Sequence, residues 1–279
     1  VLRDTEDTAA PADRVRDGSS SAELSDAPAE DLAQIPYSSR TWGLLFNCGG
    51  EGNALANTAV RQALAAAALD AEMTFPEGCE PAQGLIPPAV NYAGASYRET
   101  VGSALFSISD PTGLYQQGMT ELGLTTLRNI SILAPEGSVY TQLIGTINAR
   151  WQQLFACYFT VRQLPQEEYL AALAGGDYQI ALVSLEPASA SLLDLPARFD
   201  GELAGFYSDG VHAALTALLR EPERINAQTV LTLEKAILSE APFVPLYCQR
   251  QYLLVDPSVE GLAFSPFGPT VDVSGAARA

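Results

Sequence analysis

The residues that could do chemistry are few and poorly spaced for it. Gly50-Glu51-Gly52 follows an apolar stretch and precedes a helical one, where a phosphate-cradling turn would stand. Such a turn needs a third glycine so that helix and strand can pack closely, and Leu55 occupies that place. The acid that would grip a ribose should end a second strand roughly 20 residues on. Asp70 has the distance but falls inside the first helical pattern. His212 is the only histidine, so any serine or cysteine nucleophile would have one base to draw on, and no Gly-x-Ser-x-Gly elbow or P-loop occurs. Val211 and Ala213 beside it predict the first turn of a helix and a surface or half-buried position. The four cysteines, at 48, 79, 157 and 248, include no Cys-x-x-Cys pair, which argues against structural zinc. Glu167-Glu168 and Asp4/Glu6/Asp7 read as solvated faces. No enzyme site, metal or cofactor is expected.

Charge narrows the partners. Asp and Glu number 33 against 15 Lys and Arg, a formal charge of −18 over 279 residues. Nucleic acid and anionic membrane surfaces need clustered positive charge, so both are disfavoured. Hydrophobic residues make up 47%, enough for a large core. The longest apolar run, Ala63–Leu69, is far short of the roughly 20 residues that span a bilayer. The chain opens without Met or a signal-peptide pattern, which predicts a processed or partial form.

Residues 1–36 hold nine acids against Arg3, Arg14 and Arg16 and no aromatic, the pattern of an acidic leader. It is either solvated or a strand and helix that pack on a neighbour. Globular periodicity starts near Thr41. Trp42–Asn47 reads as a strand, and Asn57 as the cap of a four-turn helix with Val60, Ala63, Leu64, Ala67 and Ala71 on one face. Residues 74–97, rich in Pro and Gly, predict a long loop. Thr126–Ala134, Cys157–Gln163 and Tyr178–Ser184 read as strands. Between them lie a helix capped by Ser138 and one that opens at Pro165 and closes at Gly175-Gly176. A β-α-β-α-β order implies right-handed crossovers and a mixed, mostly parallel sheet flanked by helices. A helix capped by Asp209, one from Asn226 ended by Pro242, and a strand over Phe243–Val255 follow.

Several motifs occur in one collinear order. Leu45-Phe46-Asn47 precedes Asn57-x-x-Val60-Arg61-Gln62-Ala63-Leu64-x-x-Ala67-x-x-Asp70. Gly84-Leu85-Ile86-Pro87, Tyr169-x-x-x-Leu173-x-x-Gly176-Asp177-Tyr178 and Gly205-Phe206-Tyr207 follow. Glu240-Ala241-Pro242-Phe243-Val244-Pro245-Leu246-Tyr247 and Val259-Glu260-Gly261-Leu262 close the series. Val15-Arg16-Asp17-Gly18 through Pro28-Ala29-Glu30-Asp31-Leu32 fits ahead of it. The whole resembles the second part of the oligopeptide/dipeptide/nickel solute-binding proteins of ABC transporters, whose members run to about twice this length.

The resemblance implies an α/β lobe of the type II periplasmic-binding-protein-like fold. Residues 1–36 would be the remnant of the segment before the lobe crossover, and 37–279 the second lobe with its C-terminal return. It implies a monomeric receptor outside the cytoplasmic membrane, a peptide or other small solute as ligand, and ABC permease subunits as partners. Trp42, Gly43, Ser184, Leu185, Glu186 and Tyr207 are the implied ligand-binding positions. The family's Gly-Trp-x-x-Asp after the third strand reads Ser184-Leu185-Glu186-Pro187-Ala188 here, so its tryptophan and carboxylate are replaced. An extracytoplasmic compartment would also permit a disulfide between Cys48 and Cys79, which flank the first helix. Two rival readings are a sensor or regulatory module that reuses this lobe and an acidic extracellular hydrolase.

Overall fold

The computed structural model describes residues 10–50, 52–75, 78–201, 203–267, 270–272 and 274–278. The acids at 4, 6 and 7 lie outside the described residues. In the rest of the acidic segment, α1 (Pro11–Arg16) leads to β1 (Ala22–Ser25). Arg16 reaches Asp13 at 2.9 Å and Asp31 at 2.7 Å, while Val15 and Ala29 pack on Leu254. β2 (Ala33–Phe46) begins ahead of residue 37 and runs on through Trp42.

α2 (Thr58–Leu69) is capped as expected: the Asn57 side chain accepts the Val60 N–H at 3.1 Å. It is buried nearly all round, because Ala63 and Ala65–Ala68 let other helices approach closely. Buried Arg61 donates to the carbonyls of Leu55, Ala56 and Glu240, so its charge ties the helix to a distant turn. Asp70 caps the far end and pairs with Arg150.

The proline-rich stretch holds β3 (Cys79–Pro81), the short pair β4 (Asn91–Tyr92) and β5 (Ala95–Ser96), and α3 (Tyr97–Val101). α4 (Pro111–Glu121) follows. Then come β6 (Ser131–Pro135), α5 (Ser138–Phe155), β7 (Thr160–Leu164), α6 (Gln166–Ala174) and β8 (Ile180–Leu185), the expected β-α-β-α-β order. β6 starts five residues later than the periodicity predicts; Asn129, at φ +58°, turns the chain just before it. Gly137, not Ser138, stands at the α5 cap. Asn148 both donates to Phe159 O and accepts its N–H, fixing α5 against the entry to β7.

α7 (Asp194–Ala197), α8 (Asp209–Arg220) and α9 (Ala227–Ser239) complete the helices described here. Ser208, not Asp209, caps α8, and Asp209 sits in its first turn. Asn226 and Thr229 form a reciprocal capping box on α9. β9 (Phe243–Val255) precedes two small pairs, β10 (Val259–Glu260) with β13 (Ala277–Arg278) and β11 (Ala263–Ser265) with β12 (Thr270–Asp272).

Among the described residues the main sheet runs β1-β9-β2-β8-β6-β7, with β3 added along β9. It is mixed. β7, β6 and β8 are parallel; β2 pairs antiparallel with both β8 and β9. Alternation along the strands builds two cores. Leu44, Phe46, Ile132, Ile180 and Leu182 face α2, α4 and α5, around fully buried Trp151. Leu45, Leu133, Ala181, Val183 and Phe243 face α8 and α9.

Candidate functional site

The parallel strands stop together at Leu164, Pro135 and Leu185. Ligands of open α/β sheets settle outside such carboxyl ends. There a concavity of about 480 Å3 opens between β2, β8 and the start of α5, lined by Arg40, Trp42, Glu136, Tyr140, Ser184 and Glu186 among others. A second hollow of about 370 Å3 shares Asp26, Tyr140 and Gln249 with it and adds Cys79 and Tyr247.

Trp42 stands opposite Ser184 on β8 and Tyr247 on β9. Residues directly opposite across strands share a face, so the three belong to one wall. The Trp42 indole N–H donates to Gln249 Oε1 at 2.8 Å. Its ring centroid lies 5.2 Å from that of Tyr140 and 6.0 Å from that of Tyr247, the latter nearly parallel at 10°. Burial pushes the Tyr140 and Tyr247 phenols upward, so both stay neutral hydrogen-bonding groups at ordinary pH.

Glu186 is already engaged. Ser39 Oγ lies 2.7 Å from its Oε1 and Arg40 Nε donates to its Oε2 at 3.2 Å. Arg40 Nη1 also lies 3.7 Å from Asp26 Oδ1. Beyond Glu186, the Ala188 N–H and Ser189 Oγ donate to Asp194 at 3.3 and 2.8 Å, and Arg198 joins Asp194 to the Glu186 carbonyl. Burial pulls the Asp194 carboxyl up, but these donors and the Arg198 charge outweigh it and hold the group below its ordinary value. The loop after Glu186 is therefore braced internally.

Of the six sequence-derived positions, the structure brings Trp42, Ser184 and Glu186 into the 480 Å3 concavity. Gly43 points toward the other core. A Cβ there would sit 2.3 Å from Val244 O, so only glycine lets β2 and β9 approach at that point. Leu185 is buried in the α8–α9 core and edges a different hollow with Asn47 and Tyr178. Tyr207 is 59% exposed and lines neither hollow; its hydroxyl donates to Asp209 at 3.0 Å, beside His212. Exposed His212 contacts Asp200 at 2.8 Å. Asp26, Arg40, Tyr140 and Gln249 are site residues that sequence reasoning missed. Gln249 had a signal, since it lies two residues beyond Tyr247 and so on the same strand face.

The Cys48–Cys79 disulfide that the sequence left open is not formed: all four cysteines are free. Cys79 pairs in register with Gln249, which faces Arg40 on β2, whereas Cys48 lies beyond the opposite end of that strand at Phe46. Six strand residues separate those levels by roughly 20 Å, three times the reach of a disulfide. Among the described residues no group of three or more His, Cys, Asp or Glu side chains could hold a metal ion, and no helix is long and apolar enough to cross a membrane.

A mixed sheet clothed by helices on both faces, with a hollow at its parallel strand ends, is one lobe of the substrate-binding protein fold. No family model and no curated protein matches the sequence. Solved structures do match. The chain is similar to the pheromone receptor PrgZ, whose structure concerns its mode of peptide binding, at 16% identity and a TM-score of 0.72 over 96% of this chain and 55% of that one. Listeria monocytogenes OppA bound to peptide matches at 18% identity and a TM-score of 0.71, over 96% of this chain and 55% of that one. A peptide-binding protein of a peptide ABC transporter matches at 18% and 0.63, over 78% of this chain and 100% of its own. The chain thus spans about half the length of the first two and shares their fold.

Proposed function

We propose that this chain is the second-lobe half of the substrate-binding component of an ABC importer. It captures oligopeptides or dipeptides outside the cytoplasmic membrane and delivers them to permease subunits. It acts as a monomer and by binding, without catalysis. Residues 37–279 serve as the lobe with its C-terminal return, and 1–36 as the segment that leads into it. The hollow beside Trp42, Ser184 and Glu186 is its half of the ligand site, with Gly43 and Leu185 supporting it from beneath. Tyr207 lines neither hollow and stands outside this half of the site.

The observation that carries the reading is the placement of this hollow. It opens at the carboxyl ends of the parallel strands, in a fold shared over 96% of the chain with proteins described by their peptide complexes. Saturation-transfer NMR with a mixture of short peptides tests it. Transfer to peptide protons, lost in Trp42→Ala, is the expected result; no transfer at millimolar peptide would sink the reading.

A further inference from the structure

We propose that the hollow beside Trp42 selects a positively charged group, the ammonium or guanidinium of a basic side chain on the bound peptide. This rests on the peptide-binding reading above and adds the charge class of the ligand.

Two independent features of the wall favour the same sign. The first is charge. Asp26, Glu136 and Glu186 line the hollow with one cation, Arg40, a formal balance of −2. Arg40 is flanked on both sides, by Glu186 at 3.2 Å and Asp26 at 3.7 Å. An incoming carboxylate would have to displace those contacts and then sit among three like charges. Glu136, exposed between the end of β6 and the start of α5, has no side-chain partner among the described residues and is free to pair with a ligand. The second feature is aromatic. The half-buried Trp42 and Tyr140 rings, 5.2 Å apart, line the same hollow, and a cation that reaches a ring face there is attracted by its quadrupole.

The N-termini of α5 and α6 at this rim oppose the trend with partial positive charge. Glu136 stands immediately before the α5 cap, and Glu167 and Glu168 occupy the first turn of α6, so acids answer both helix ends. The −18 of the whole chain adds a long-range attraction for cations that salt screens.

The test titrates the chain with Ala-Lys-Ala, Ala-Ala-Ala and Ala-Glu-Ala and follows tryptophan fluorescence. Trp151 is fully buried, so Trp42 reports the hollow. The expected order is lysine, then alanine, then glutamate, with about threefold or more between the first two, as one or two exposed charge contacts would give. The gap should narrow as salt rises, and Glu136→Gln should reduce it. Equal binding of the three peptides, or tighter binding of the glutamate peptide, overturns charge selection while the peptide-binding reading stands. No binding of any of them overturns both. A lysine preference untouched by salt and by Glu136→Gln overturns the assignment to this hollow.

Discussion

Glu234 of α9 lies 2.5 Å from Arg98 of α3, and both side chains are buried. The same carboxylate accepts the N–H groups of Leu85 and Ile86 at 2.7 and 3.0 Å and the Tyr97 hydroxyl at 3.2 Å. One acid on a core helix thereby holds the proline-rich wrapping segment to the lobe. Removing one partner strands a charge in the core. Glu234→Ala is expected to cost about 3–5 kcal/mol. Urea unfolding would measure it, and a change within the error of the wild type would show that the pair does not hold the segment.

Gly84 sits against this pair. An added Cβ would lie 2.4 Å from Glu234 Oε1 and 2.5 Å from Arg98 Nη2. Gly84→Ala should destabilise by roughly 1–3 kcal/mol, the usual range for overpacking. The same denaturation series checks it, and combined with Glu234→Ala the two losses should not add.

All four thiols should titrate after denaturation without reductant. In the native protein partly exposed Cys79 and Cys48 should react ahead of Cys157 and Cys248, which are buried. Burial pushes the Cys248 thiol up to about 11, so little thiolate is available at neutral pH. Counting fewer than four thiols in the denatured chain would restore a disulfide.

The acidic segment should loosen in acid. The Arg16 hydrogen bonds hold the exposed Asp31 carboxyl down at about 2. A depressed folded value means that the contribution is complete above the ordinary carboxylate range and is lost as pH falls through the folded value, here between about 4 and 2. Carboxyl-carbon NMR should place the Asp31 midpoint near the lower end. Arg16→Gln should move it back up; an unmoved midpoint would remove Arg16 as the cause.

Peptide affinity of the isolated chain should be weaker than micromolar. On the proposed reading the chain is one half of a bilobal receptor, so it must meet the association cost of about 4–15 kcal/mol with contacts from one side only. Ala188 offers no carboxylate to a ligand ammonium, and Glu186 is already held by Arg40 and Ser39. Calorimetry showing micromolar or tighter binding would overturn this expectation.

Local pattern carried much of the fold. Asn57, Asn226 and the Gly175-Gly176 stop were legible because caps and breakers act within a few residues. The order of β6, α5, β7, α6 and β8 was legible from periodicity. The antiparallel placement of β9 beside β2 was not, since pairing across more than 200 residues leaves no local trace. Trp42, Ser184 and Glu186 were named from motif position and share a wall. The Arg40–Glu186 contact was invisible, because it depends on the register between β2 and β8. Whether Cys48 and Cys79 could pair was open in the sequence for the same reason: both flank α2, but the sheet holds them at different levels.

The β2–β9 ladder has a consequence in time. Thr41 and Cys248, paired across it, lie 207 residues apart in the chain. At about 5–20 residues per second, roughly 10–40 s of synthesis separate them. β8 can occupy one flank of β2 much earlier, but the other flank stays without its strand partner until Phe243–Val255 emerges. During that interval the nascent lobe presents an open strand edge next to apolar Leu44 and Phe46, a template for pairing with another chain. Ribosomal pausing ahead of Phe243 would prolong that exposure, while pausing after Val255 would not.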